Sequence, residues 1–258
     1  MDIVSHNRRA WNHQSKTGNE WTIPVSAATI AAARKGDFEV VLTPNKPVPK
    51  NWFGDLENTS VLCLASGGGQ QAPVLAAAGA RVVGVDVSEE QLKADRFVAN
   101  REKLPLVTLQ ATMTSLPLRT ATFDLVFNPV SCIFIADVRP LWDECYRVLK
   151  PGGTLLTGLM NPSFYLFDID ENEDPGEFKV TYALPYSDLK SLPDAKRRRR
   201  IEDNEPLEFS HSLESLLGGQ LAAGFSITGF YEDWWNDDAT LLNRFTPTSM
   251  AVRAIKAR

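Results

Sequence analysis

Two short segments carry residue types that could bind a nucleoside. In the first, the apolar run 61–64 continues into the small residues 65–69 and then Gln70. Small residues after a buried strand let the backbone approach a ligand closely, where free N–H groups of the next helix point outward. The second segment, 81–86, reads as a strand that ends in Asp86. An acid at that place lies beside a ribose in dinucleotide-binding folds, so the two segments predict a nucleoside-binding edge.

The elements that must position these residues alternate along the chain. Runs rich in β-formers predict strands at 60–64, 81–86, 106–110, 123–127, 154–159, 225–231 and 250–255. Helical patterns and their caps predict helices at 74–78, 88–97, 138–149 and 212–223. This alternation is typical of an α/β fold, in which the last two strands would close the sheet antiparallel.

The second half of the chain interrupts the alternation. Residues 161–194 are rich in proline, acids and aromatics and show no clean helical period, so they read as an insertion. Its aromatic side chains fit either a cap over a substrate or a small core of their own. The basic run 196–200 fits either a phosphate or RNA contact or a solvated strand or loop neutralised by nearby acids.

Composition limits the function classes. The chain has 258 residues, 43% of them hydrophobic, and a formal net charge of -5, which is an ordinary globular composition. A net acidic chain is not expected to hold nucleic acid or an anionic membrane over a broad face. The three cysteines are widely spaced, and the sequence shows no apolar membrane span and no compact set of metal ligands. We therefore expect a cytoplasmic protein, either monomer or homodimer, with reduced thiols and no metal.

Four linked segments carry a resemblance to a known family. They are the loop 65–69, Val85-Asp86-Val87-Ser88, the stretch 116–126, and Arg147 to Thr154 with its Lys-Pro-Gly-Gly sequence. In order and spacing they resemble class I S-adenosylmethionine-dependent methyltransferases with a type 11 methyltransferase domain. The resemblance implies a Rossmann-like, seven-stranded, mostly parallel sheet with helices on both faces and an antiparallel last strand. It also implies a cofactor across the carboxyl ends of the first four strands.

The resemblance assigns S-adenosylmethionine contacts to particular residues. Asp86 would bind the ribose, Val87 would pack on the adenine, and Asn128 with Pro129 would lie beside the sulfonium. The full set of implied cofactor positions is Ala65, Ser66, Gly67, Gly69, Gln70, Asp86, Val87, Thr112, Met113, Asn128 and Pro129, with Trp11 from the N-terminal segment. Two alternatives stay open, because Asp86 also fits a helix cap or surface site and 111–113 also fits a plain loop. The chain departs from the family at Cys63, where an acid is usual, and at Ala65, where the first loop glycine is usual.

The remaining segments are assigned to the acceptor side. We expect residues 1–50 to form a helical lid with Trp11 over the methionine end, although a surface helix fits equally. Residues 51–160 and 208–258 would form the methyltransferase core, and 161–207 would be an insertion that shapes the acceptor pocket. His211 is the candidate for a catalytic base, and a helix N-terminus is its alternative role.

The resemblance implies in-line methyl transfer from S-adenosylmethionine to a small-molecule acceptor. An alternative is a methyltransferase of tRNA or another nucleic acid, for which the run 196–200 would have to share a face with the cofactor. A second is a nicotinamide-dependent oxidoreductase on the same glycine edge, in which the Lys-Pro-Gly-Gly segment has no role. A third is a cofactor-binding protein without catalysis, suggested by Cys63 and Ala65.

Overall fold

The computed structural model describes residues 1–65, 67–168, 179–236 and 239–258. Its strands are β1 (Ser60–Leu64), β2 (Arg81–Asp86), β3 (Leu106–Gln110), β4 (Phe123–Asn128), β5 (Leu149–Met160), β6 (Phe225–Asp233) and β7 (Ser249–Lys256). They form one sheet in the order β3-β2-β1-β4-β5-β7-β6. Strands β1 to β5 pair in parallel, whereas β7 runs antiparallel to both β5 and β6. The predicted class, strand number and antiparallel closure are confirmed.

Helices cover both faces of the sheet. The α-helices among the described residues are α1 (Ile3–Thr17), α2 (Ala27–Ala33), α3 (Gln71–Ala77), α4 (Glu89–Glu102), α5 (Arg139–Val148), α6 (Asp188–Ser191), α7 (Asp194–Glu202) and α8 (Gly219–Ala222). Of these, α6 and α7 belong to the predicted insertion. Alternate residues of β1 face the two cores: Val61 and Cys63 pack with α2, α3 and α4, while Leu62 and Leu64 pack with α5. This period of two is what a strand buried on both faces requires.

Three predicted elements differ from the structure. The helix predicted over 212–223 is a π-helical turn, Glu214–Gly218, followed by α8. Strand β5 begins at Leu149, five residues before the predicted start at 154, because Pro151 and the two glycines after it are part of the strand and not a turn before it. The basic run, predicted as a strand or loop, lies in α7, where it is stabilised by ion pairs such as Arg197 with Asp194 three residues before it.

Aromatic residues of the predicted insertion pack in a third hydrophobic cluster together with residues after β4 and at the end of β5 and with Leu242. Phe164, Tyr165 and Tyr186 are buried in a cluster with Met160 and Ile133, apart from the two main cores. Of the two roles open to its aromatics, these residues form a small core. Residues 169–178 of the insertion lie outside the described residues. Within the part of the chain that the structure describes, no helix combines the length and apolarity needed to cross a membrane.

Candidate active site

One cavity lies at the carboxyl ends of the parallel strands. Its volume is about 350 Å³, within the range of small-molecule pockets, and it stands at the edge where open α/β sheets bind ligands. It reaches from Asp86, which ends β2, to Met160, which ends β5. These strands are three positions apart in the sheet, so the cavity spans on the order of 14 Å.

Asp86 is fixed at the end of β2 by its own chain. The Ser88 amide donates to Asp86 Oδ1 at 2.7 Å, and the Asp86 side chain is nearly buried but lines the cavity. The cap of α4 is Ser88, whose Oγ accepts from the Gln91 amide at 3.2 Å. Helix capping, one alternative role of Asp86, therefore belongs to Ser88.

The glycine loop after β1 is tightly built. Gly68 has φ of +69°, and a Cβ on it would overlap the Gln91 side chain and the Thr22 backbone, so that only glycine fits. Ala65 and Gly67 line the cavity, and Ser66 lies outside the described residues. Gly69, predicted to contact the cofactor, is not among the described lining residues.

The amide of Gly69 is bound inside the protein. It donates to Asp95 Oδ1 at 2.7 Å, and Asp95 is a fully buried residue of α4. The Asp95 carboxylate therefore holds the glycine loop in place. The chain has Cys63 in β1, where the resemblance implies an acid. Burial raises the pKa of the Cys63 thiol, and nearby Asp95 raises it further, so Cys63 is a neutral packing residue. Sequence reasoning missed Asp95, although an acid three residues from both Leu92 and Val98 was a signal.

The predicted residues after β2, β3 and β4 divide into two groups. Val87, Thr112, Met113 and Pro129 line the cavity. Asn128 does not, because its side chain is buried and its Nδ2 donates to Ser131 Oγ at 2.7 Å. Asn128 therefore braces the end of β4, and the neighbouring Ser131 and Pro129 face the cavity in its place.

The N-terminal segment covers one side of the cavity. Trp11 of α1 lines it and meets Phe134 edge to face, with ring centroids 5.0 Å apart. Asn7 ties α1 down: its Nδ2 donates to the carbonyls of Phe134 and Leu207, and its Oδ1 accepts from the Leu207 amide. Gln70 lines the cavity, yet its Nε2 donates to the Glu20 and Ile23 carbonyls and so holds the same segment.

Several lining residues were not predicted. They come from segments without a motif, brought in by long-range packing: Val41, Leu42, Thr43, Pro44, Ile133, Phe134, Ile135, Met160, Pro206 and Glu208. Trp235, whose sequence fits either a cap over a substrate or a small core, also lines the cavity. Residues 41–44 reach the cavity because Leu42 O accepts from the Val130 amide at 3.0 Å, next to the end of β4. Most of these side chains are apolar, which makes this side of the cavity suited to a hydrophobic ligand.

The histidines lie elsewhere. His211 is buried with its Nε2 3.0 Å from the Cys132 carbonyl oxygen, and it is not among the described residues that line the cavity. Burial lowers the pKa of His211, which keeps the ring neutral. His6 is buried with its Nε2 2.9 Å from the Glu205 carbonyl oxygen, and His13 is exposed. These contacts fit structural roles.

The cavity contains an acid that the sequence did not indicate. Glu208 lines it, and Tyr165 donates a hydrogen bond from its hydroxyl to Glu208 Oε2 at 2.7 Å. Among the described lining residues, Glu208 and Asp86 are the two with ionisable side chains; the rest are neutral. Glu208 belongs to the segment beside Ile133, to whose carbonyl the Phe209 amide donates at 2.7 Å, so it lies on the side of the cavity away from β2.

A carboxylate after β2 and a glycine loop after β1, both opening on one cavity, define a nucleoside-binding α/β protein. Comparison with known proteins narrows that class. The family model described as "Methyltransferase domain" matches residues 62–157. The chain is 46% identical over 255 residues to the uncharacterized methyltransferase YbaJ of Bacillus subtilis, covering 98% of each chain. The chain belongs to the S-adenosylmethionine-dependent methyltransferase family.

Other similarities are more local or concern the fold. A demethylmenaquinone methyltransferase of Clavibacter sepedonicus is 37% identical over 97 residues, which cover 37% of this chain and 39% of that protein. A structure of a putative S-adenosylmethionine-dependent methyltransferase from Listeria monocytogenes aligns with a TM-score of 0.63 and 17% identity. That alignment covers 81% of this chain and 95% of the other. It shows the shared sheet architecture.

Proposed function

We propose that this methyltransferase binds S-adenosylmethionine at the Asp86 end of the cavity and transfers the methyl group to an apolar small molecule at the Glu208 end. The single observation that carries the proposal is that one cavity joins the two ends. The glycine loop and Asp86 line one part, and the apolar residues around Met160 line the other. An in-line displacement needs donor and acceptor side by side in such a space.

The residues at the first end suit the cofactor. A carboxylate at Asp86 accepts hydrogen bonds from both hydroxyls of a ribose. Among the residues that the structure describes, buried Gln91 Oε1 has no hydrogen-bond partner. Gln91 lines the cavity beside the loop, where this oxygen offers an acceptor to a donor of the ligand. Val87 and Met113 provide apolar surface for the adenine. The bound cofactor supplies an electrophilic methyl group on a sulfonium.

The chain contributes positioning and exclusion of water. Helix α1 and residues 41–44 cover the cavity, and the aromatic contact of Trp11 with Phe134 closes one side of it. Orientation of two reactants in a near-attack geometry supplies about 7–11 kcal/mol of the barrier reduction. Segment 1–50 therefore acts as the lid in this proposal. The insertion acts on the acceptor side because its residues Phe164, Tyr165 and Tyr186 pack in one cluster with Met160 at the end of β5.

The basic run favours a small acceptor over nucleic acid. In α7, Lys196 pairs with Asp168, Arg199 with Asp203, and Arg200 with Asp188. Charges already matched by carboxylates contribute little to phosphate binding. The name of the Clavibacter relative gives a small-molecule acceptor for that protein, which supports the same class here.

Replacement of Asp86 by asparagine tests the cofactor site. Asparagine keeps an oxygen for the Ser88 amide but loses the second acceptor and the charge. We expect the dissociation constants of S-adenosylmethionine and S-adenosylhomocysteine to rise about 10- to 100-fold, since hydrogen bonds to charged groups contribute about 1.5–3 kcal/mol. Isothermal titration calorimetry measures both constants.

The matched control is Asp143→Asn, because Asp143 is exposed on α5 and does not line the cavity. It should bind like the wild type, and NADH should bind to neither protein. Unchanged affinity in Asp86→Asn would contradict the assignment of Asp86. A folded wild type that binds neither sulfur nucleoside would contradict the proposed function itself.

A further inference from the structure

The Glu208 carboxylate, at the end of the cavity away from Asp86, has one oxygen available to a ligand. Glu208 Oε2 accepts from Tyr165, whereas no hydrogen bond to Glu208 Oε1 occurs among the described residues. The backbone of Glu208 is fixed, because its amide donates to Asp188 Oδ2 at 2.7 Å. An anchored carboxylate with one unmatched oxygen on a cavity wall is a site for a ligand that donates a hydrogen bond.

The charges of the residues that line the cavity favour a cationic ligand over an anionic one. No lysine, arginine or histidine occurs among the residues that the structure describes along the cavity, so an anionic acceptor would meet no positive partner there. A cation would meet Glu208 and the aromatic residues Trp11, Phe134 and Trp235 of the same lining. Aromatic faces and a desolvated carboxylate both attract an ammonium group.

We propose that Glu208 binds the ammonium group of an apolar alkylamine acceptor and takes one of its protons before methyl transfer. This inference rests on the proposed function and names the acceptor class for it. An N–H bond of the ammonium breaks, and the proton passes to Glu208 Oε1. The freed nitrogen lone pair then forms the bond to the methyl carbon while the electron pair of the C–S bond stays with sulfur. Glu208 returns its proton to water when the methylated ammonium leaves.

The surroundings of Glu208 suit a proton acceptor. Burial raises the pKa of Glu208, and the carboxylates of Asp188 and Glu205 raise it further. Arg200 and the hydrogen bond from Tyr165 act in the opposite direction, and the net change is upward. A carboxylate with a raised pKa accepts a proton from an amine more readily than an ordinary surface glutamate does.

A binding experiment tests this role without knowledge of the natural acceptor. The probes are benzylamine, benzyl alcohol and benzoate, which share a ring and differ in charge. Each is titrated calorimetrically into wild type, Glu208→Gln and Glu214→Gln at saturating S-adenosylhomocysteine. Glu214 is an exposed glutamate outside the lining, so its variant is the matched control.

We expect wild type and Glu214→Gln to bind benzylamine at least about 10-fold more tightly than benzyl alcohol, with no preference for benzoate. Glu208→Gln should lose the preference for the amine and keep its affinity for S-adenosylhomocysteine. For wild type, benzylamine affinity should rise with pH as Glu208 loses its proton, over a range in which an alkylamine stays protonated.

Three results would overturn the proposal: an amine preference that persists in Glu208→Gln, equal binding of amine and alcohol by the wild type, or no amine binding. If S-adenosylhomocysteine still binds, each of these results counts against the role of Glu208 and not against the proposed cofactor site. Failure of the wild type to bind S-adenosylhomocysteine instead counts against the proposed function, so the two failures are distinguishable.

Discussion

Ala65 has a backbone conformation that alanine disfavours. It follows β1, lines the cavity, and has φ of +48°, in the left-handed region where an L side chain is strained. The strain persists because the loop is fixed on both sides, by β1 before it and by the bond from the Gly69 amide to Asp95 after it. Such local strain is typical of ligand-binding loops in rigid scaffolds.

Replacement of Ala65 by glycine should relieve this strain. We expect the free energy of unfolding to rise by about 1 kcal/mol. For a chain of this size that change raises the melting temperature by roughly 2–4 °C. Differential scanning calorimetry measures the shift. Ala121→Gly should raise the melting temperature in the same way, because exposed Ala121 also has a positive φ, +51°, although it lies outside the cavity lining. A fall in melting temperature for Ala65→Gly would contradict the strain argument.

At the scale of elements, β5 and residues 41–44 depend on a close backbone approach. Gly158 of β5 lies against Leu42, and a Cβ at Gly158 would overlap the Leu42 carbonyl and approach the Val130 amide. These two groups are joined by a 3.0 Å hydrogen bond that brings residues 41–44 to the cavity. Glycine at this place in β5 therefore lets residues 41–44 reach the cavity.

Gly158→Ala should separate this segment from the sheet. We expect a loss of about 1–3 kcal/mol in the free energy of unfolding, as in overpacked cores, and faster hydrogen exchange at the Val130 amide. Urea denaturation and exchange mass spectrometry measure the two effects. Gly218→Ala is the control, since Gly218 has ordinary helical angles and the nearest atom to an added Cβ, at 3.6 Å, is Glu214 Cγ. Equal stability of the two variants would argue against the close approach.

At the scale of the whole molecule, the cavity connects parts of the chain that are distant in sequence. Asn7 in α1 bonds to Leu207, 200 residues later, and Phe209 bonds to Ile133. Residues from both chain halves therefore surround one volume of about 350 Å³. A ligand that fills this volume contacts several elements at once and should oppose their separation.

Ligand binding should therefore stabilise the folded chain as a unit. At S-adenosylhomocysteine concentrations near 100 times its dissociation constant, linkage gives about 2.7 kcal/mol of stabilisation. For a protein of this size we expect the melting temperature to rise by roughly 5–10 °C. Thermal melts with and without ligand test this. Asp86→Asn at the same ligand concentration should show a clearly smaller shift, and an equal shift would place the ligand elsewhere.

The sequence by itself determined the sheet and the end of the cavity that Asp86 and the glycine loop line. Strands β1 and β2 and the position of Asp86 were predicted correctly, because their signals are local: apolar runs of strand length, loop glycines and an acid at a strand end. The carboxyl ends of adjacent parallel strands must share one edge, so these local signals also fixed where the cavity lies.

Only the tertiary structure decided which residues line the Glu208 end of the cavity and which residue holds the glycine loop. Glu208, Leu42 and Asp95 take their roles from partners far along the chain, which are Tyr165, Val130 and Gly69 respectively. The internal hydrogen bonds of Gly69 and Asn128 likewise appear only in the folded chain, and their predicted contacts with the cofactor stay predictions. Burial and pairing depend on the whole packed chain, because they arise from contacts between residues that a local pattern does not relate.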